Sequence, residues 1–319
     1  MSNFQHVPVD LSCILFDSLI RSIILYNSEI WFMEEYFSVY KAKNRARIHG
    51  TSCDILSLID RFSMEKVHHK FCKSVLEIKK TSSNIAATSE LGRLPLDTFI
   101  KTQVILCFSR INCKEINPFV QEAFKLNKTL SQDGIHTWYT FAREILAEFD
   151  INEEDLFVLD KPFKLFKNPI KNSTKRVVKE IILEKLSNLD EHSKLFLYNK
   201  LQNEIKLEDY LSTLKFFNSR QILTKFRISD HKLEIEIGRY KKVPREQRIC
   251  KVLDDEKHFF LHCHINCNIR NSLIQEIENY YPDFNQLDSI AKLQIILNPS
   301  QDILSNVVDY IKQSMELRK

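Results

Sequence analysis

An all-α, multi-helix fold is what this sequence predicts, and three observations carry it. Only four glycines and eight prolines occur in 319 residues, too few for the turns and close backbone approaches of a sheet protein. Apolar residues return every three or four positions along most of the chain, the period of a helix face. Capping residues stand where that period breaks, as at Gly92 to Pro95 and at Asn298-Pro299.

The length allows one large domain or two ordinary ones. With 46 basic and 42 acidic residues the net charge is only +4, so any case for an acidic partner has to be local. Eight cysteines are scattered along the chain, and no basic-then-apolar leader precedes them. The expectation is a reduced, intracellular protein, cytoplasmic or nuclear. The most apolar stretch, Leu11 to Phe32, is interrupted by Asp17, Arg21, Asn27 and Glu29. That is short of a membrane span, and no membrane partner is expected.

Taken in order, Asp10 is the predicted N-cap of a first helix with Leu11, Ile14, Leu15, Leu19 and Ile23 on one face. It leads into a second helical run through Trp31 and Phe37, and the tryptophans are expected in the core. Lys41–Gly50 is basic and poor in apolar residues, and reads as an exposed connection. Asp54–Ile78 suits one or two amphipathic helices. A short helix closed by Gly92 follows, and Pro95 opens Leu96–Ile111, apolar nearly all round and hence central to the N-terminal core. Helices are expected at Pro118–Leu126 and Trp138–Phe149.

The segment 155–174, with two prolines and alternating charges and aromatics, is the candidate linker. It would separate a helical region 1–154 from a C-terminal helical region 175–319. In the second, helices are expected at Lys175–Leu189, His192–Lys200, Leu207–Lys215, Ser219–Phe226, Asn268–Tyr281 and Leu287–Leu297. The last helix has Asn298 as its predicted cap, Pro299 at its first position, and Ile303, Leu304, Val307, Val308, Ile311 and Met315 as its stripe.

One stretch, 227–270, gathers the chemistry. Between Arg239 and Lys251 there are six basic residues and one acidic, with Tyr240 among them. Lys225, Arg227, His231 and Lys232 lie just upstream. Clustered cations of this kind neutralise phosphates and displace counterions; the competing reading is a solvated basic loop around Pro244. The candidate contacts are Arg227, Arg239, Lys241, Lys242, Arg245 and Arg248.

Cys250, His258 and Cys263 have spacing suited to three ligands of a tetrahedral zinc site. A Cys-x-x-Cys pair would supply the fourth, but Leu253 stands in that place. The set is one ligand short, so the alternatives are no cofactor, with Cys263 in the core and the histidines on the surface, or zinc completed by His262, His264 or Cys267. Asp254-Asp255 reads as a solvated turn. Cys72 and Cys107, near His68 and His69, lack an orienting acid for nucleophilic catalysis.

Together, LFDSLIRSIILYNSEIW (Leu15–Trp31), HKFCKSVLEIKKTSSNIAATSELGRLPL (His69–Leu96) and RISDHKLEIEIGRYKKVPREQRIC (Arg227–Cys250) resemble the C-terminal, thumb-side part of reverse transcriptases of non-long-terminal-repeat (LINE-type) retrotransposons. EKHFFLHC (Glu256–Cys263) resembles that family's Cys/His region, and LNPSQDILSNVVDYIKQ its closing helix. The resemblance implies a transposable-element fragment that grips RNA or DNA, with the remaining reverse transcriptase domains as partners in any longer product. The family's polymerase motif, paired aspartates after an aromatic-alanine pair, is absent from this sequence, so no enzyme is expected. The alternative is a helical structural or protein-interaction module without nucleic-acid binding.

Overall fold

A computed structural model describes residues 7–48, 59–111, 117–156, 164–190 and 193–318. The all-α expectation holds. Helices make up nearly all regular structure among these residues, and the exception is one antiparallel ladder of two-residue strands. The chain divides into two compact units, 13–69 with 94–182, and 1–12 with 70–93 and 183–319. Each therefore draws on both sides of the predicted linker.

In the first of these units the centre is the helix Leu96–Ile111, with Leu96, Ile100, Val104, Ile105 and Phe108 buried. The helices Ser28–Ile48 and Trp138–Glu148 pack on it. Aromatic rings fill the space between them: Phe32 meets Phe62 at 4.8 Å and Tyr36 meets Phe141 at 5.0 Å between centroids, in the edge-to-face geometry that ring quadrupoles favour. The helix Pro118–Gln132 closes this group, packing on both Trp138–Glu148 and Leu96–Ile111, with Asn117 as N-cap and Pro118 at the first position.

Several sequence expectations change here. Lys41 to Ile48 continues the helix that begins at Ser28, because Lys, Ala and Arg are good helix formers whatever their exposure; Gly50 lies outside the described residues. Trp31 is 42% exposed rather than in the core, its indole donating to the Tyr26 carbonyl at 3.0 Å. Of the linker candidate, residues 157–163 lie outside the described residues, and from Lys164 onward the chain is the helix Lys164–Ser187, with Pro169 inside it. Pro169 lacks a backbone donor, which costs one hydrogen bond near the helix start. The helix is held by burial of Ile170, Thr174, Val178 and Ile182, each four residues after the last.

In the second unit the helix Gln301–Glu316 is the core element, with Ile303, Leu304, Val307, Val308 and Ile311 buried. It packs against Cys267–Glu278, Phe217–Arg227 and Asp209–Thr213. Its cap is Ser300 rather than the predicted Asn298. Asn298 instead ends the preceding helix, Ser289–Leu297. Its amide is committed on both sides, donating to the Leu201 carbonyl at 2.9 Å and accepting from Arg227.

Candidate functional site

The stretch 227–270 lies in this second unit and is organised by its own short elements. The helix Phe217–Arg227 stops where Ser229 turns left-handed, at φ 53°. His231 and Ser229 then fasten Glu256, at 2.8 and 2.6 Å. Burial alone would raise the Glu256 carboxyl; His231 and the Ser229 hydroxyl overcome it and hold the group down at about 2.

A helix, Glu234–Tyr240, follows, and its first backbone amide donates to Asp254 Oδ2 at 3.0 Å. Gly238 is necessary within it. A Cβ there would meet Arg248 Cγ at 2.5 Å, because the Arg248 side chain lies across this helix. The ladder Ile249–Cys250 against Val252–Leu253 packs beside it, with Lys251 at the apex. The chain then winds through a π-type turn, His258–His262, to Cys263.

That path brings Cys250, His258 and Cys263 together. One sulfur or ring-nitrogen atom from each lies within 4.8 Å of the others. Cys263 is fully buried and His258 is 5% exposed. Neither ring nitrogen of His258 has a hydrogen-bond partner among the described residues. A buried imidazole normally satisfies at least one nitrogen, so this ring is placed as a metal ligand would be. Burial pushes the His258 imidazole down, against the pull of Asp254, toward the neutral form that coordinates. Burial raises the Cys250 thiol, although Arg318 opposes this.

Two soft sulfurs and an imidazole fit zinc or another thiophilic metal, and a dication would balance two thiolates. The donor set therefore fits zinc, one of the two alternatives the spacing leaves open, but as three protein ligands. Leu253 pairs with Ile249 in the ladder. His262, His264 and Cys267 are exposed and stand outside the cluster. Asp254 is not a solvated turn residue. It is 3% exposed, with Oδ1 taken by Arg318 at 2.8 Å and Oδ2 by Glu234.

The predicted phosphate contacts separate into two groups. Arg227 is wholly buried; it donates to Glu90 at 2.6 Å and to the Leu297 carbonyl at 2.7 Å, and pairs with Glu208 at 2.9 Å. It is a core cation, unavailable to a phosphate. Arg248 is committed as well, giving two donors to the Val243 carbonyl and one to that of Ile235. Arg239 pairs with Glu236 at 2.7 Å on the helix surface, and Arg245 is half-buried.

Lys241 and Lys242 remain exposed, beside Tyr240 with 87% of its surface open. Lys251 and Lys257 join them as exposed cations. Lys242 and Lys251 share a backbone peculiarity, with φ of 58° and 68°. That region suits glycine or asparagine, and a lysine there is strained.

The residue that sequence reasoning missed is Arg318. Its Nη2 donates to Cys263 Sγ at 2.8 Å, from 55 positions away in the chain. No spacing rule could have linked a basic residue near the chain's end to this cluster. No family model, curated protein or solved structure matches this chain.

Proposed function

We propose that this protein is a non-catalytic binder of single-stranded RNA or DNA. It would grip phosphates through basic turns mounted on a zinc-stabilised Cys/His knuckle. The observation that carries the reading is the placement of Lys242 and Lys251. Lysine occupies two turn positions where the backbone favours glycine; both side chains are exposed, and Lys242 directly follows the open Tyr240 ring and Lys241 in the chain. Clustered mobile cations with an open aromatic ring suit a flexible polyanion with stackable bases, read without sequence preference. The likeness of the quoted stretches to retrotransposon reverse transcriptases supports the same reading, as a remnant that keeps the grip and not the polymerase.

In this reading Cys250, His258 and Cys263 hold the zinc, whose contribution is a cross-link between the ladder and the turn that follows it. Cys107, Cys250, Cys263 and Cys267 are free thiols, which suits a reducing compartment, cytoplasm or nucleus. Among the described residues no helix is long and apolar enough to cross a membrane.

The test is a gel-shift titration of the full chain with single-stranded RNA at increasing salt. Affinity should fall steeply with salt, and charge reversal at Lys241, Lys242 and Lys251 should abolish most of it. Unchanged affinity in that variant would sink the reading.

A second reading, a helical protein-interaction module, has its own observation. Leu15, Leu19, Ile23, Tyr26 and Ile30 are all exposed along one short stretch of chain, an unusual run of apolar side chains for solvent. It predicts no salt-dependent RNA binding at all, so the same titration separates the two.

A further inference from the structure

We infer that Arg318 is a positioning residue for the Cys250–His258–Cys263 centre, and that through it metal loading is coupled to docking of the C-terminal helix. The inference rests on the metal reading above and goes beyond it. The guanidinium acts in three directions at once. Nη2 donates to Cys263 Sγ and Nη1 to Asp254 Oδ1, both at 2.8 Å, and its central carbon lies 4.9 Å from the Phe259 ring centroid. Asp254 is fixed in turn by the Glu234 amide. A ligand sulfur, a buried carboxylate and the end of the Gln301–Glu316 helix thus form one continuous set of contacts.

The coupling follows from the chemistry of that sulfur. When a cysteine ligates a dication it gives its proton to solvent and binds as the thiolate. A thiolate accepts a charge-assisted hydrogen bond far more strongly than a thiol does. The contact from Arg318 is therefore stronger in the loaded protein than in the empty one. By linkage, loading must then favour the docked helix to the same degree that the docked helix favours loading. This matters more here than in a four-ligand site, because three protein ligands leave outer contacts a larger share of the affinity.

The experiment uses the full chain and two metals alone, Co²⁺ for its thiolate charge-transfer absorption and Zn²⁺ in competition with a chromophoric chelator. Arg318→Met keeps an apolar stem over Phe259 and removes the donors; Arg318→Lys keeps the charge. The expected results are zinc affinity about 10- to 100-fold weaker in Arg318→Met, a Co²⁺ binding midpoint moved to higher pH, and partial rescue by lysine. Zinc should also slow amide exchange across Gln301–Glu316 in the wild-type chain and not in Arg318→Met.

Equal affinity and equal pH midpoint in Arg318→Met, with only a lower melting temperature, would make Arg318 a plain anchor and overturn the inference. A wild-type chain that binds neither metal would overturn the metal reading itself, and the inference with it.

Discussion

Arg227 Nε stands 2.6 Å from Glu90 Oε1, across 137 residues of chain, and both side chains are sealed from solvent. Tyr210 donates to the same Glu90 oxygen at 2.6 Å, and Glu208 takes the other end of the guanidinium. Burial alone would lower the affinity of Arg227 for its proton, but Glu90 and Glu208 more than reverse it. A buried pair adds little over an apolar replacement, yet losing one partner strands a charge. Arg227→Met should cost about 3–5 kcal/mol in denaturant unfolding. Arg227→Met with Glu90→Gln should cost clearly less than the two single changes summed.

Lys242 and Lys251 allow stability and binding to be pulled apart. Glycine at either position relieves left-handed strain of roughly 1 kcal/mol, offset in part by the extra freedom glycine gives the unfolded chain. Each Lys→Gly variant should melt no lower than the wild type while its RNA affinity drops. The slope of log affinity against log salt should flatten by about one for each lysine removed. A variant that loses fold and affinity together would mark these lysines as structural.

Two glycines with positive φ should respond differently to alanine. Gly92 has φ of 64°, and a Cβ there would sit 2.3 Å from the Leu207 amide nitrogen, where Leu91 bridges Leu207. Gly134 has φ of 82° and open space around it. Gly134→Ala should cost about 1 kcal/mol, the backbone term alone. Gly92→Ala should cost about 3 kcal/mol or more, since backbone must move as well. Thermal melts of the two variants give the comparison directly.

Glu65 gives the fold a pH dependence of unusual sign. Burial, and then the charge of Asp97, raise its carboxyl from 4.5 to about 8. His68 Nδ1 lies 3.3 Å from it, and the Asp97 amide donates to it at 2.9 Å. Between those two values the unfolded chain has released this proton and the folded chain retains it. Stability should therefore be full below pH 4.5 for this group and decline as pH rises toward 8. Glu65→Gln should flatten that decline in urea titrations run at pH 5 to 8.5, by roughly 1–3 kcal/mol across the range. Glu256, held at about 2, acts in the opposite sense, and its contribution fades only as pH falls below 4.5.

His258 offers a check on the proposed metal centre that needs no binding partner. Its two ring nitrogens are buried without partners, an arrangement that costs about 1–3 kcal/mol when no ion is held. In the presence of a chelator, His258→Leu should be neutral or stabilising. With zinc supplied, the wild type should gain stability and the variant should not. Equal responses of both to zinc would exclude His258 as a ligand.

The all-α class, the central helix Leu96–Ile111 and the apolar stripe of the last helix are all legible in the sequence, because each depends on local periodicity and capping. So is the grouping of Cys250, His258 and Cys263, since they lie within fourteen residues of one another along the chain. What only tertiary structure decided is the fate of individual charges. Arg227 and Arg248 read as surface cations, yet Arg227 pairs with Glu90 from far along the chain and Arg248 folds back onto the Val243 and Ile235 carbonyls. Asp254 reads as a loop carboxylate, yet it links a helix start to Arg318. Asn298 reads as the cap of the helix that follows it, yet it ends the one before and holds Arg227. Helical period reports which residues share a face; it is blind to which distant partner will desolvate a charge, and that pairing is settled only when the folded chain brings them together.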